Sequence, residues 1–161
     1  MADQSPDHSP EHLLAAIELA ASARAHGNHP FGALLTGPDG KVLLTAENTV
    51  LTDHDVTAHA EINLVRQASR TLAPHQLADA VLYSSTEPCA MCAGAIHWSG
   101  IRRVVYALAA TELNAIAGVD PDEPVLDLPC RAVFAAGGST VEASGPFLFE
   151  EASAVHVGYW G

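Results

Sequence analysis

Two short segments constrain the fold of this chain more than anything else in it: His59-Ala60-Glu61 and, further on, Pro88-Cys89-Ala90-Met91-Cys92. Cysteines three apart lie on one face of a helix, close enough to share one ion. Proline suits a helix's first turn, so Pro88 predicts a helix running through His97 with both cysteines near its start. There they feel the positive end of the helix, which favours the thiolate that a metal needs. His59 falls in the first turn of another predicted helix, opened by Thr57 as N-cap, with Ile62, Val65 and Ala68 or Ser69 on its inner side. One His and two Cys make three corners of a tetrahedron only if these two helix starts converge, and that is a demand on the whole fold.

The rest of the chain has the elements to meet it. Leu13, Leu14, Ile17 and Ala21 recur at helical spacing between Pro10 and His26, and Gly27-Asn28 supplies a stop. Phe31 to Thr36 and Lys41 to Ala46 read as strands joined by the turn Gly37-Pro38-Asp39-Gly40, a hairpin. Ala80 to Ser85 and Arg102 to Leu108 read as further strands. The order helix, hairpin, helix, strand, helix, strand predicts an α/β chain with a central sheet flanked by helices. Beyond Thr111 the signals weaken: a Pro- and Asp-rich loop over Val119 to Leu128, an edge strand over Thr140 to Ala143 and a last helix over Phe149 to Val157. No repeat or linker divides residues 1–161, so one domain is expected. Residues 1–10 read as a flexible leader and 145–161 as a tail able to cover the site.

Three protein ligands leave a fourth position for water, the arrangement of a catalytic rather than a structural zinc. Zinc lowers the pKa of such a water toward neutrality, and Glu61, two residues from His59, is placed to take its proton. Plainer readings exist for each half: a satisfied core histidine, a solvated glutamate, a redox cysteine pair or half of a zinc knuckle. Their conjunction favours the catalytic metal site, with one Zn2+ per subunit. A structural zinc would need a fourth ligand, for which Cys130 is the candidate; with no partner at ligand spacing it reads as a buried thiol. No glycine-rich phosphate loop or serine elbow competes, and Asp120, Asp122 and Glu123 lack the spacing of a calcium loop.

Charge narrows the partner. The formal net charge is −12 with only seven Lys and Arg, and just Arg102 and Arg103 adjoin. Proteins that grip polyanions usually carry a basic face, because neutralising phosphates supplies most of the affinity. A small neutral substrate is therefore expected, and tRNA is not. The first residues are acidic, unlike a secretion signal, and Leu13 to Ala25 is too short and too charged to span a bilayer. A cytoplasmic protein with no membrane partner is expected, and a cysteine pair in such a chain points to metal or redox chemistry rather than disulfides.

H-x-E followed by P-C-x-x-C is the zinc deaminase signature, and longer stretches extend the likeness. Pro30-Phe31-Gly32-Ala33-Leu34-Leu35, Ala46-Glu47-Asn48, Asp55 to Glu61 and Leu82 to Ile96 resemble the cytidine-deaminase superfamily, and within it the guanine deaminase and tRNA-adenosine deaminase branch. Val56 departs from it, standing where many relatives have proline. The resemblance implies a three-layer α/β/α sandwich around a five-stranded mixed sheet, and a homodimer. It implies that Asn48 hydrogen-bonds a base, that Phe31 and Trp98 wall the ring, and that Ala60 belongs to the substrate side. It also implies a second proton-carrying acid among Asp120, Asp122 and Glu123, here assigned to Glu123. The tail His156-Val157-Gly158-Tyr159-Trp160 then reads either as a lid, exchanged between subunits in some relatives, or as a packed terminal helix.

The expected activity is hydrolytic deamination of a small aminated heterocycle, guanine to xanthine and ammonia first. Another nucleobase, a nucleoside or an aminotriazine, a tRNA adenosine, and a non-catalytic zinc-stabilised binding module are the alternatives.

Overall fold

The computed structural model describes residues 9–138 and 140–161. The expected flexible leader lies, up to residue 8, outside the described residues; Pro10 already belongs to a helix. That helix, α1 (Pro10–Ala25), is capped by Ser9 and has proline in its first turn. Its buried face, Leu13, Ala16, Ile17, Ala20 and Ala23, keeps the three-and-four spacing of one helical stripe. Against it runs β1 (Gly32–Thr36), buried along its whole length. The approach is close: a Cβ on Gly32 would lie 2.5 Å from the Leu19 Cβ and 2.6 Å from the Ala16 carbonyl oxygen, so only glycine fits.

The predicted hairpin forms. β2 (Val42–Glu47) returns antiparallel to β1 through a turn in which the Lys41 N–H donates to Asp39 Oδ1. β3 (Val81–Thr86) pairs antiparallel with β1 on its other side, then parallel with β4 (Arg103–Leu108), which pairs parallel with β5 (Glu142–Ser144). The result is a five-stranded mixed sheet in the order β2-β1-β3-β4-β5. β3 is buried along its whole length and β4 from Val104 onward, on both faces, as parallel strands covered by helices must be.

Alternation along the strands splits the core into two layers. Ala33, Leu35, Leu82, Val104 and Tyr106 face α3 (Ala60–Thr71), α5 (Ala90–Ser99) and α7 (Cys130–Ala136) through Leu64, Ile96 and Phe134. Leu34, Tyr83, Val105 and Ala107 face α1 and α8 (Phe149–Ala154). This is the expected α/β/α sandwich. Each large apolar side chain so buried stabilises the fold by roughly 1.5–3 kcal/mol.

Four short helices stand where none was predicted: α2 (Val50–Asp53), α4 (Pro74–Asp79), α6 (Ala110–Ala117) and α7. α6 has a clear local cause, since the Glu112 carboxylate accepts from the Ala109 N–H and closes its first turn. α8 ends at Ala154, three residues before the predicted end, and the chain then turns. Among the described residues no helix is long and apolar enough to cross a membrane.

The tail folds back on its own chain. Arg24 Nη1 donates to the carbonyls of Val155 and Val157, and the Tyr159 hydroxyl bonds His29 Nδ1 at 2.6 Å. Trp160 donates from Nε1 to Nδ1 of His156, which is fully buried. Burial, with Arg24 adding to it, holds the His156 pKa down to about 4, against about 6.5 for an unfolded histidine. The unfolded chain therefore binds the extra proton first, so this packing contributes fully above about pH 6.5 and is lost as pH falls toward 4. Thermal midpoints of wild type and His156→Gln measured across that window should converge toward the acid end. Parallel curves would show that His156 does not set the acid limb.

Candidate metal centre and active site

The site lies at the carboxyl end of β3, where open α/β sheets place their ligands. β3 ends at Thr86, and the chain passes through Glu87 and Pro88 into α5. Cys89 is the N-cap of α5 and Cys92 sits one turn in; His59 is the N-cap of α3, with Ala60 and Glu61 its first two residues. Both N-caps have extended backbone and neither side chain caps its helix, which leaves the His59 ring and the Cys89 thiol for other partners. Thr57, the predicted N-cap, stands two residues too early: its N–H and hydroxyl both donate to Asp55 Oδ1, a tight turn that delivers the chain to His59.

The helix starts converge as the sequence demands. His59 Nδ1 is 3.6 Å from Cys89 Sγ and 3.5 Å from Cys92 Sγ. Ligands on a tetrahedral zinc, with bonds of about 2.3 Å to sulfur and about 2.0 Å to nitrogen, lie about 3.5 Å apart, so the donor set fits. It is the one such cluster among the described residues, and Cys130 is not in it. Cys130 is fully buried at the start of α7, its thiol pushed up to about 12 by burial, with Glu87 adding to the effect.

Electrostatics favour a cation here. A hydrogen bond from Cys92 and the neighbouring His59 pull the Cys89 thiol down to about 4. Cys92 moves the other way, because it donates to Cys89 and is more deeply buried, beside Glu61. His59 is raised, chiefly by its bond to Cys89.

Glu61 is 6% exposed. Burial lifts its carboxyl above the usual carboxylate range, and a hydrogen bond from Ser84 partly offsets this. Its Oε2 lies 3.4 Å from Cys92 Sγ, facing the ligand cluster.

A cavity of about 160 Å³ opens beside these groups, lined by Phe31, Asn48, His59, Glu61, Thr86, Glu87, Cys89 and Leu113. Asn48 is buried and its Oδ1 accepts from the Val50 N–H, which leaves the Nδ2 end as a donor. Trp98 does not line it: the ring sits near the end of α5, 86% exposed, against His97. Ala60, the first residue of α3, is buried in the core, and it does not line the cavity. Glu123 stands outside as well. It turns with Asp120 at the surface and lines an adjoining cavity with Leu113, Trp160 and Gly161. The acid that lines the metal-side cavity besides Glu61 is Glu87, tethered by the Cys130 N–H. Trp160 packs near Phe31 and parallel to His29, so the tail backs the cavity's aromatic wall.

The model of the cytidine and deoxycytidylate deaminase zinc-binding region matches residues 7–108. The chain belongs to this deaminase family. It is 38% identical over 149 residues to the "probable cytosine deaminase" of Schizosaccharomyces pombe, covering 92% of this chain and 90% of that one. It is 45% identical over 109 residues to the guanine deaminase of Bacillus subtilis, covering 67% and 69%. A solved structure from a study of A-to-I editing by tRNA:A34 deaminases superposes with a TM-score of 0.72 at 29% identity, over 91% of this chain and 99% of that one. As a deaminase of this family, the chain has in His59, Cys89 and Cys92 its zinc site, and its chemistry is hydrolysis of a C–N bond.

Sequence reasoning missed Ser84, Thr86, Glu87 and Leu113. Ser84 and Thr86 follow from strand alternation once β3 is extended to Thr86; Glu87 lies just past the strand, and Leu113 depends on α6, which was not foreseen.

Proposed function

We propose that the protein deaminates a free nucleobase, guanine to xanthine first among the candidates. The observation that carries this reading is the cavity: small, walled by Phe31 and Leu113, and ending on the ligand cluster and Glu61. A flat ring slides between the two apolar side chains and the Asn48 Nδ2 donates to its carbonyl oxygen. Zinc, when bound by His59, Cys89 and Cys92, supplies the Lewis acidity that lets water attack at neutral pH. Glu61 accepts a proton from the attacking water and passes it to the ring nitrogen beside the amino-bearing carbon. It then carries the second proton to the amine, which leaves as ammonia, so ring amine plus water becomes ring carbonyl plus ammonia. With Glu123 outside the cavity, Glu61 serves both transfers. A homodimer belongs to the same reading, since it would cover Trp98.

Cytosine is the second reading. It is favoured by the S. pombe relative, which aligns over 92% of the chain. A tRNA substrate fits less well: no Lys or Arg lines this cavity or the two that adjoin it among the described residues, and the net charge is −12. A non-catalytic zinc module would gain nothing from burying Glu61 beside the metal. The test is an ammonia-release screen across guanine, cytosine, their nucleosides, an aminotriazine and a tRNA anticodon stem-loop. Turnover of a free base is expected; turnover confined to the stem-loop would overturn the proposal.

A further inference from the structure

Ser84 sits on β3 with no exposed surface, two residues from Thr86. Strand alternation puts it on the same face as Leu82, the face covered by α3 and α5. Its Oγ is 2.6 Å from Glu61 Oε1 and 2.7 Å from the backbone carbonyl of Thr86. A serine hydroxyl carries one hydrogen, so it donates to one of these oxygens at a time. Glu61 Oε2, meanwhile, faces Cys92 and the ligand cluster. The carboxyl is thus divided, one oxygen tied to the sheet and the other left for chemistry.

We propose that Ser84 is the positioning residue for Glu61, clamping Oε1 so that Oε2 stays aimed at the reacting centre. Without the hydroxyl, a buried carboxylate has a free oxygen and a choice of rotamers. Misplacing a catalytic group by about 1 Å can cost on the order of 10²-fold in rate.

The inference rests on Glu61 as the proton carrier and names what holds that carrier in place. Its test compares Ser84→Ala, Ser84→Thr and Glu61→Gln as zinc-loaded proteins, with the best base from the substrate screen. Ser84→Ala is expected to keep its zinc and its KM and to lose about 10- to 100-fold in kcat. Ser84→Thr, which keeps the hydroxyl on a strand that suits a branched side chain, is expected to recover most of that loss. An infrared difference spectrum gives a readout apart from turnover: the carboxylate band lost in Glu61→Gln should shift in Ser84→Ala and return in Ser84→Thr. Wild-type kcat in Ser84→Ala, a loss confined to KM, or a loss of zinc or fold that threonine does not repair would each overturn the proposal. Near-normal turnover in Glu61→Gln would instead remove the reading beneath it, so the two failures are told apart.

Discussion

Ammonia release is expected to fall by about 10²- to 10⁴-fold in Glu61→Gln, the range that a positioned general acid–base contributes, while the zinc content stays at wild-type level. Glutamine preserves the shape of the side chain and can still meet the Ser84 hydroxyl, so neither fold nor metal site should change. It cannot carry a proton. Glu61 is not one of the clustered ligands, which is why metal and activity separate in this variant. The carboxyl is suited to the task because burial lifts its pKa above the usual carboxylate range, toward the region where it can both take and return a proton. Metal analysis and steady-state kinetics on the same preparation check the expectation. Retention of near-normal turnover would sink Glu61 as the proton carrier.

Stripping the metal is the second large effect. A chelator should abolish ammonia release, and added Zn2+ should restore it, because among the described residues no other cluster could hold a metal to supply the acidity that water needs. The dependence on pH has a definite sign. All three ligands bind metal only when unprotonated. Cys92 is raised by its bond to Cys89 and by burial, and His59 by Cys89. Protons therefore compete with zinc, so affinity falls as pH falls and the metal is lost on the acid side. Since metal binds the folded chain, its removal should also lower the unfolding temperature, by an amount set by the free metal concentration relative to the dissociation constant. Cys92→Ser should show both losses together. A metal-free protein with full turnover would contradict the catalytic role of this centre.

Local chemistry was legible in the sequence wherever a residue's task depends on near neighbours. The ligand spacing His59, Cys89, Cys92 and the position of Glu61 are legible as a known zinc deaminase signature, the hairpin at Gly37–Gly40 from its turn residues, and the runs of β3 and β4 from strand patterning. The α/β/α layering follows from the family resemblance, and the structure adopts it. The convergence of the two helix starts could be demanded from the sequence but not shown. It is the pairing of β1 with β3, and the packing of α3 beside α5, that brings Nδ1 of His59 within 3.6 Å of both sulfurs.

What the tertiary structure alone decided are the groups whose roles depend on contacts far along the chain. Ser84 meets Glu61 because a strand side chain points under a helix 23 residues away. Glu87, not Glu123, lines the metal-side cavity, since the turn at Asp120–Glu123 stays at the surface. Trp98 faces outward because the last turn of α5 presents it to the surface, whatever its distance in sequence from Cys92. The tail closes on its own chain because Arg24 and His29 offer partners there. Spacing along the chain specifies which atoms share a helical turn; which turn faces which strand is decided only when the sheet closes the core.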